Sequence, residues 1–300
     1  MQTKNTIGDF YNKSEKYLFL GNGVNLTSQE LDWATLLRRI SKEAGIAIEF
    51  ENKTYPLIFE EIAFRLKRDK NIDDNISFLK GIVAQECSKF KPTKIHDDIL
   101  ESNVYQHFIT TNYDYCIERA IKTDIDIEET RNRKIPKYSL HRYNKVKGNK
   151  IWHIHGEIDN GIRGEKTPKE GSILIGNEHY GDYQRKIHEL LKGSGGLRNL
   201  ITESEENWVH LFFTRDIDMI GFGMDFTESH LWLILNFRAR LKQNGSSISN
   251  TIKFYYPSFS KVSLKPKLDL LEIMNVNLVE INSKADNYID FYNNFLSHIT

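Results

Sequence analysis

The residues of this chain that could do chemistry sit in four short junctions, each placed where an apolar run ends. The first is Gly21-Asn22-Gly23-Val24-Asn25, after Tyr17-Leu18-Phe19-Leu20. Glycines there let a backbone approach a phosphate and turn into a helix N-terminus. They serve a plain tight turn equally well, and Leu26 leaves G-x-G-x-x-G incomplete. Asn25 suits a ribose contact or a helix cap. The second is Thr110-Thr111-Asn112-Tyr113-Asp114. Small polar groups followed by an acid suit a site, or an Asx-turn in which Asn112 bonds local backbone. The third is Trp152-His153-Ile154-His155-Gly156. Strand alternation puts both histidines on one face. A histidine before a glycine at a strand end reads as open to a crevice, where it titrates near neutrality, or as a structural residue. Two alternating histidines also suit a metal, but no third ligand lies close in sequence, so no metal is expected. The fourth is Ile220-Gly221-Phe222-Gly223-Met224-Asp225. Its amides can carry a phosphate or ribose, or simply make a turn, with Asp225 or Thr227 capping the next helix.

These junctions need elements to hold them. Apolar runs at 17–20, 107–111, 151–154, 173–175, 209–213, 218–222, 251–256 and 276–281 read as short buried strands. Helical spacing is clear in Leu31, Trp33, Leu36, Leu37 and Ile40, through most of 57–100, and at 183–191, 228–241 and 285–299. Residues 121–149 are polar and basic and read as loops or short irregular strands. Gly193-Ser194-Gly195-Gly196 reads as a flexible break or a close backbone approach. Strands alternating with helices give an α/β fold: a Rossmann-like, mainly parallel sheet flanked by helices, with a helical insertion at about 55–103, after the first strand–helix unit. In such a sheet ligands bind beyond the carboxyl ends of the strands, which is where the four junctions fall.

Composition excludes several classes. Lys+Arg and Asp+Glu are 41 each, so the basic excess of a phosphate-backbone binder is missing, and no direct nucleic-acid binding is expected. Two cysteines, Cys87 and Cys116, make neither a disulfide framework nor a four-cysteine zinc site. No apolar run approaches the ~20 residues that span a bilayer, and Met1 to Asp9 has no signal-peptide core. A reduced, cytoplasmic compartment away from membranes is the expectation.

The order of the four junctions resembles the sirtuin superfamily. Sirtuins show a glycine-alanine-glycine turn, a Gln-Asn-x-Asp motif, a His-Gly pair and a glycine-serine junction. Here stand Gly21-Asn22-Gly23, Thr111-Asn112-Tyr113-Asp114, His155-Gly156 and Gly221-Phe222-Gly223. The chain is more similar to the sirtuin-like family of bacterial antiphage defence. Those proteins share a Trp and a Leu-Leu pair, matched by Trp33 and Leu36-Leu37, and a glycine junction followed by Asp and His, matched by the Gly221 to His230 stretch. The resemblance runs from about Tyr17 to Tyr256. The chain departs from deacylating sirtuins in lacking two C-x-x-C zinc pairs and the Phe-Gly-Glu-x-Leu-Pro segment that holds an acyl-lysine peptide. Thr111 stands for the sirtuin glutamine, and Gly223 for the junction serine.

The resemblance implies one sirtuin-like catalytic domain over 1–300 and an NAD glycohydrolase, with NAD as substrate and no metal. Asn112 would fix a ribose hydroxyl or the water, and His155, rather than His153, would be the base. Gly21, Asn22, Gly23, Asn25, Thr111, Gly221, Gly223, Met224 and Asp225 would hold the dinucleotide, and Asp114 the nicotinamide carboxamide or a helix cap. The alternatives are an NAD-dependent deacylase and a sensor module that binds NAD or ADP-ribose without turnover. A free NADase would harm its own cell, so a homo-oligomer or a separate regulatory or sensor subunit is expected to switch it.

Overall fold

A computed structural model describes residues 15–28, 31–68, 71–125, 135–159, 171–192, 206–285 and 287–300. Its centre is a seven-stranded sheet: β1 (Lys16–Leu20), β2 (His107–Thr110), β3 (Asn144–Val146), β4 (Asn149–His153), β5 (Asp216–Ile220), β6 (Ile252–Pro257) and β7 (Asn277–Ile281). The order is β3-β4-β2-β1-β5-β6-β7, and every pairing is parallel except the β3–β4 hairpin at one edge. Without β3 this is the doubly wound order of dinucleotide-binding folds, which reverses direction between β1 and β5.

β1 is central, so Tyr17, Leu18, Phe19 and Leu20 are all buried and the strand reads as an unbroken apolar run. Tyr17 and Phe19 enter one core; Leu18 and Leu20 enter another on the opposite face of the sheet. Phe19 stacks on Phe222 at 5.0 Å and meets the edge of Phe212 at 6.4 Å. Burial of such a side chain is worth about 1.5–3 kcal/mol.

Helices cover both faces. α1 (Trp33–Glu43), α2 (Tyr55–Arg65) and α3 (Ile72–Cys87) form a third apolar cluster with Tyr113, Tyr115, Ile173 and Ile175. The helical unit therefore includes α1 and packs onto the segments that follow β2 and β4. α4 (Lys94–Glu101), α5 (Cys116–Ile121), α6 (Asn177–Lys192), α7 (Trp208–Thr214), α8 (Ser229–Gln243), α9 (Lys261–Ile273) and α10 (Tyr288–Ile299) complete the described α-helices, and Asn22–Thr27 and Ser258–Ser260 form short 3-10 helices. α6 begins where Glu60, from α2, accepts hydrogen bonds from the Asn177 and Glu178 amides.

Two expected strands are otherwise. Residues 209–213 lie in α7, where Asn207 accepts from the His210 amide and caps the helix. Its apolar residues are buried all round, and a run that short has no period to separate helix from strand. Residues 173–175 form a buried loop, held by the Leu174 amide on the His155 carbonyl. Gly193 to Gly196, Met1 to Asp9 and part of 121–149 lie outside the described residues. Cys87 and Cys116 are buried free thiols, raised by burial above the usual thiol range. No described helix is long and apolar enough to cross a membrane.

Candidate active site

Register brings the junctions together. Leu20 pairs with Thr110 and Ile220, and Thr110 pairs with His153, so these four end their strands in one row. The residues that follow them leave at the same edge of the sheet. Between β1 and β5 the two glycine turns interlock: the Gly21 amide donates to the Ile220 carbonyl at 2.9 Å, and the Gly23 amide to the Gly221 carbonyl at 2.8 Å. A Cβ on Gly21 would stand 2.3 Å from the Gly221 carbonyl oxygen. Gly221 has φ +67°, and a Cβ there would lie 2.1 Å from the hydroxyl of buried Tyr292. Gly223 differs, because a Cβ added there meets no atom within 4 Å. Next to it Met224 is fully buried with φ +44°, a left-handed conformation that costs a non-glycine residue of order 1 kcal/mol.

Above this row lies a cavity of about 400 Å³, within the range of small-molecule sites. Asn22, Gly23, Thr111, Gly221, Gly223, Met224 and Asp225 line it, with Trp33, Tyr55, Tyr180, Phe222, Glu228, Tyr256 and Lys267. A side pocket of about 40 Å³ opens next to it; the two share Asn22, Asp32, Trp33 and Thr111, and Asn112 and Asp114 line the smaller one. Of the residues expected from sequence, Gly21, Asn25 and His155 do not line either cavity.

Asn112 is buried, and among the described residues its amide oxygen has no hydrogen-bond partner. Its backbone is pinned instead: its amide donates to the Thr110 hydroxyl at 3.0 Å, and its carbonyl meets His153 Nδ1 at 2.8 Å. An Asx-turn is thus not what holds it. Asn25 donates to Asp114 Oδ2 at 2.9 Å and to Asn22 Oδ1 at 3.0 Å, so it ties the first junction to the second. Asp114 also accepts the Cys116 amide at 2.9 Å and so caps the start of α5. Asp225 accepts the Thr227 amide in a turn, and α8 begins later, at Ser229.

The two histidines face different surroundings. His153 Nδ1 is on the Asn112 carbonyl, and Nε2 is 2.8 Å from Glu118 Oε1. Both partners only accept, so both ring nitrogens must carry protons. Burial opposes that charge, but Glu118 and Glu157 outweigh it and hold the imidazole up at about 9.

His155 is 1% exposed, so the expectation that it opens to the crevice is corrected. Gly156 explains its placement. With φ +78° and only 1.8 Å between an added Cβ and the Ser172 carbonyl oxygen, that position needs glycine. The tight turn, closed by the Gly156 amide on the His153 carbonyl, tucks the imidazole inward. There Nε2 lies 3.0 Å from Glu228 Oε2 and 3.2 Å from His230 Nε2, and Nδ1 lies 3.4 Å from the Tyr180 hydroxyl. Glu228 and Tyr180 line the cavity where His155 does not.

Burial pushes Glu228 upward, but His155, by charge and hydrogen bond, overcomes it with a smaller electrostatic share from His230, and the pKa is lowered. Burial and His155 lower His230 to about 3, so it is neutral at pH 7. Burial beside Glu228 raises the Tyr180 hydroxyl well above the tyrosine range. The ligand atoms of His155, Glu228 and His230 lie within 4.8 Å of one another, spacing that suits a cation. Their separations of 3.0 and 3.2 Å are also hydrogen-bond lengths, but both end on His155 Nε2, whose single hydrogen serves one of them. Sequence spacing hid this trio, since Glu228 and His230 come more than 70 residues after His155.

Residues 106–247 match a family described as the SIR2-like domain. That stretch holds the second, third and fourth junctions and excludes the first. Over 182 residues, 60% of this chain, the sequence is 25% identical to "NAD(+) hydrolase ThsA" of Bacillus cereus (strain MSX-D12). The match covers 34% of that relative, so the chain spans about a third of its length.

Proposed function

We propose that this chain, which carries a SIR2-like domain, is an NAD glycohydrolase that cleaves NAD to nicotinamide and ADP-ribose. The observation that carries the reading is the cavity over the β1–β5 reversal: two glycine turns line it, and so does Glu228, which pairs with buried His155 behind it. The similarity to a protein named as an NAD(+) hydrolase supports it.

Nicotinamide in NAD is a cationic leaving group, so its departure needs no general acid. The C1′–N bond breaks with its electron pair going to nicotinamide. Water then bonds C1′ and gives up a proton. What remains for the protein is to position the ribose, exclude bulk water and accept that proton. The Gly23 and Gly221 to Asp225 turns hold the diphosphate and ribose. Asn112, whose buried amide oxygen lacks a partner among the described residues, fixes a ribose hydroxyl or the water. His155, paired with Glu228 just behind the wall, belongs to the group that accepts the proton. Asp114, already bonded to Asn25 and Cys116, contributes through the side pocket it lines, where a carboxamide would meet it.

In this reading the chain acts as one catalytic domain in the bacterial cytoplasm, as an antiphage effector that depletes NAD when self-assembly or a regulatory subunit switches it on. Incubation of the full chain with NAD tests the activity. Nicotinamide release by the wild type, abolished in Asn112→Ala and His155→Ala at unchanged melting temperature, is the expected result. Full turnover in both variants would refute it; release that requires an acylated peptide would make the protein a deacylase, and NAD binding without turnover a sensor. Full activity of an isolated monomer would remove the proposed control by assembly.

A further inference from the structure

Glu228 has an unusual setting. It occupies the cap position of α8, where a side chain ordinarily accepts from the helix amides, yet it makes no cap bond. Its carboxylate turns away to His155, at 3.0 Å, and lies 3.8 Å from His230. It is also the member of this trio that lines the cavity. His155 and His230 are at most 1% exposed. A water beside the substrate would reach Glu228 and not His155.

Resting on the glycohydrolase reading, we infer that Glu228 is a catalytic residue, the group that receives the proton of the attacking water. His155 is then a positioning residue that holds the carboxylate ionised and aimed. The balance is simple: the C1′–N bond breaks toward nicotinamide, a water oxygen bonds C1′, and the departing O–H proton goes to Glu228, which later releases it to solvent. Glu228 faces His155 from the turn after β4, Tyr180 from α6, Tyr113 from the segment after β2, and Asp225 and His230 from its own side. Burial raises its pKa, but His155 at 3.0 Å outweighs that and lowers it, so the carboxylate is ionised and ready at neutral pH. An attack on a centre with oxocarbenium character asks little basicity of its acceptor.

The test is a kinetic comparison of the full chain with Glu228→Ala and Glu228→Gln, with and without formate. The wild type releases nicotinamide. Both variants lose about 10²–10⁴-fold in kcat, with KM and melting temperature little changed. Formate, which fits the space the alanine leaves, restores part of kcat in Glu228→Ala, and it does nothing for Asn112→Ala. A purely structural carboxylate would not respond to formate. Either variant at wild-type kcat, or a loss that formate leaves untouched in a folded Glu228→Ala, overturns the inference while the wild-type rate upholds the hydrolase reading. Activity lost to EDTA and restored by zinc also overturns it, because the trio would then be a metal site. No release of nicotinamide by the wild type, whether dilute or concentrated enough to self-assemble, removes both readings together.

Discussion

His153 ends β4 with both ring nitrogens on acceptors, the Asn112 carbonyl and the Glu118 carboxylate. His155, two residues on, meets a carboxylate, a neutral imidazole and a tyrosine hydroxyl beside the cavity. Both are buried, and one backbone turn separates them. The first has no proton to gain or lose near neutral pH, and it fixes the strand end on which Asn112 sits. The second belongs to a group of polar side chains that reaches the cavity through Glu228. Burial alone therefore does not mark a structural histidine; the nature of its partners does.

The sharpest way to break this contrast is to remove each ring. His155→Ala is expected to lower nicotinamide release at least about 100-fold, with a melting temperature near the wild type's. His153→Ala is expected to act on stability, costing about 3–5 kcal/mol in denaturant titration because Glu118 is left buried without its cation. A His153→Ala protein as stable as the wild type would show that the pair holds nothing together.

A smaller effect comes from pH. The folded His153 is raised to about 9 from an ordinary value of 6.5. Its contribution is thus complete below about pH 6.5, falls as pH rises toward 9, and is gone above that. The unfolding free energy of the wild type from urea titration should drop over that interval, by at most about 1.4 kcal/mol per pH unit. His153→Gln should lack this slope, and a parallel slope in that variant would assign it to another group.

The two glycines of the β5 junction give the smallest pair. Gly221→Ala meets Tyr292 and an unfavourable φ, so a cost of about 1–3 kcal/mol is expected by thermal unfolding. Gly223→Ala meets nothing, so stability should stay within about 0.5 kcal/mol. Its effect should appear only as weaker ADP-ribose binding by calorimetry. Equal melting temperatures for the two variants would contradict the geometry.

Much of the fold was legible because burial on both faces of a central strand leaves an unmistakable apolar run, as in Tyr17 to Leu20. The ends of those runs gave the site's location, since a doubly wound sheet opens at its carboxyl edge. The α7 segment misled because five apolar residues carry no period. His155 misled because Gly156 reads as an opening, and only the close approach of the Ser172 carbonyl shows that the turn folds the ring inward.

The sequence by itself determined the layered α/β architecture, the four junctions and the absence of a four-cysteine zinc module, because these follow from local pattern and composition. Only the tertiary structure decided which residues share a wall. The parallel register set Gly21, Thr111 and Gly221 side by side, and the packing of α8 brought Glu228 and His230 to His155. Contacts between residues that far apart in the chain arise from how strands and helices pack, and no local spacing records them.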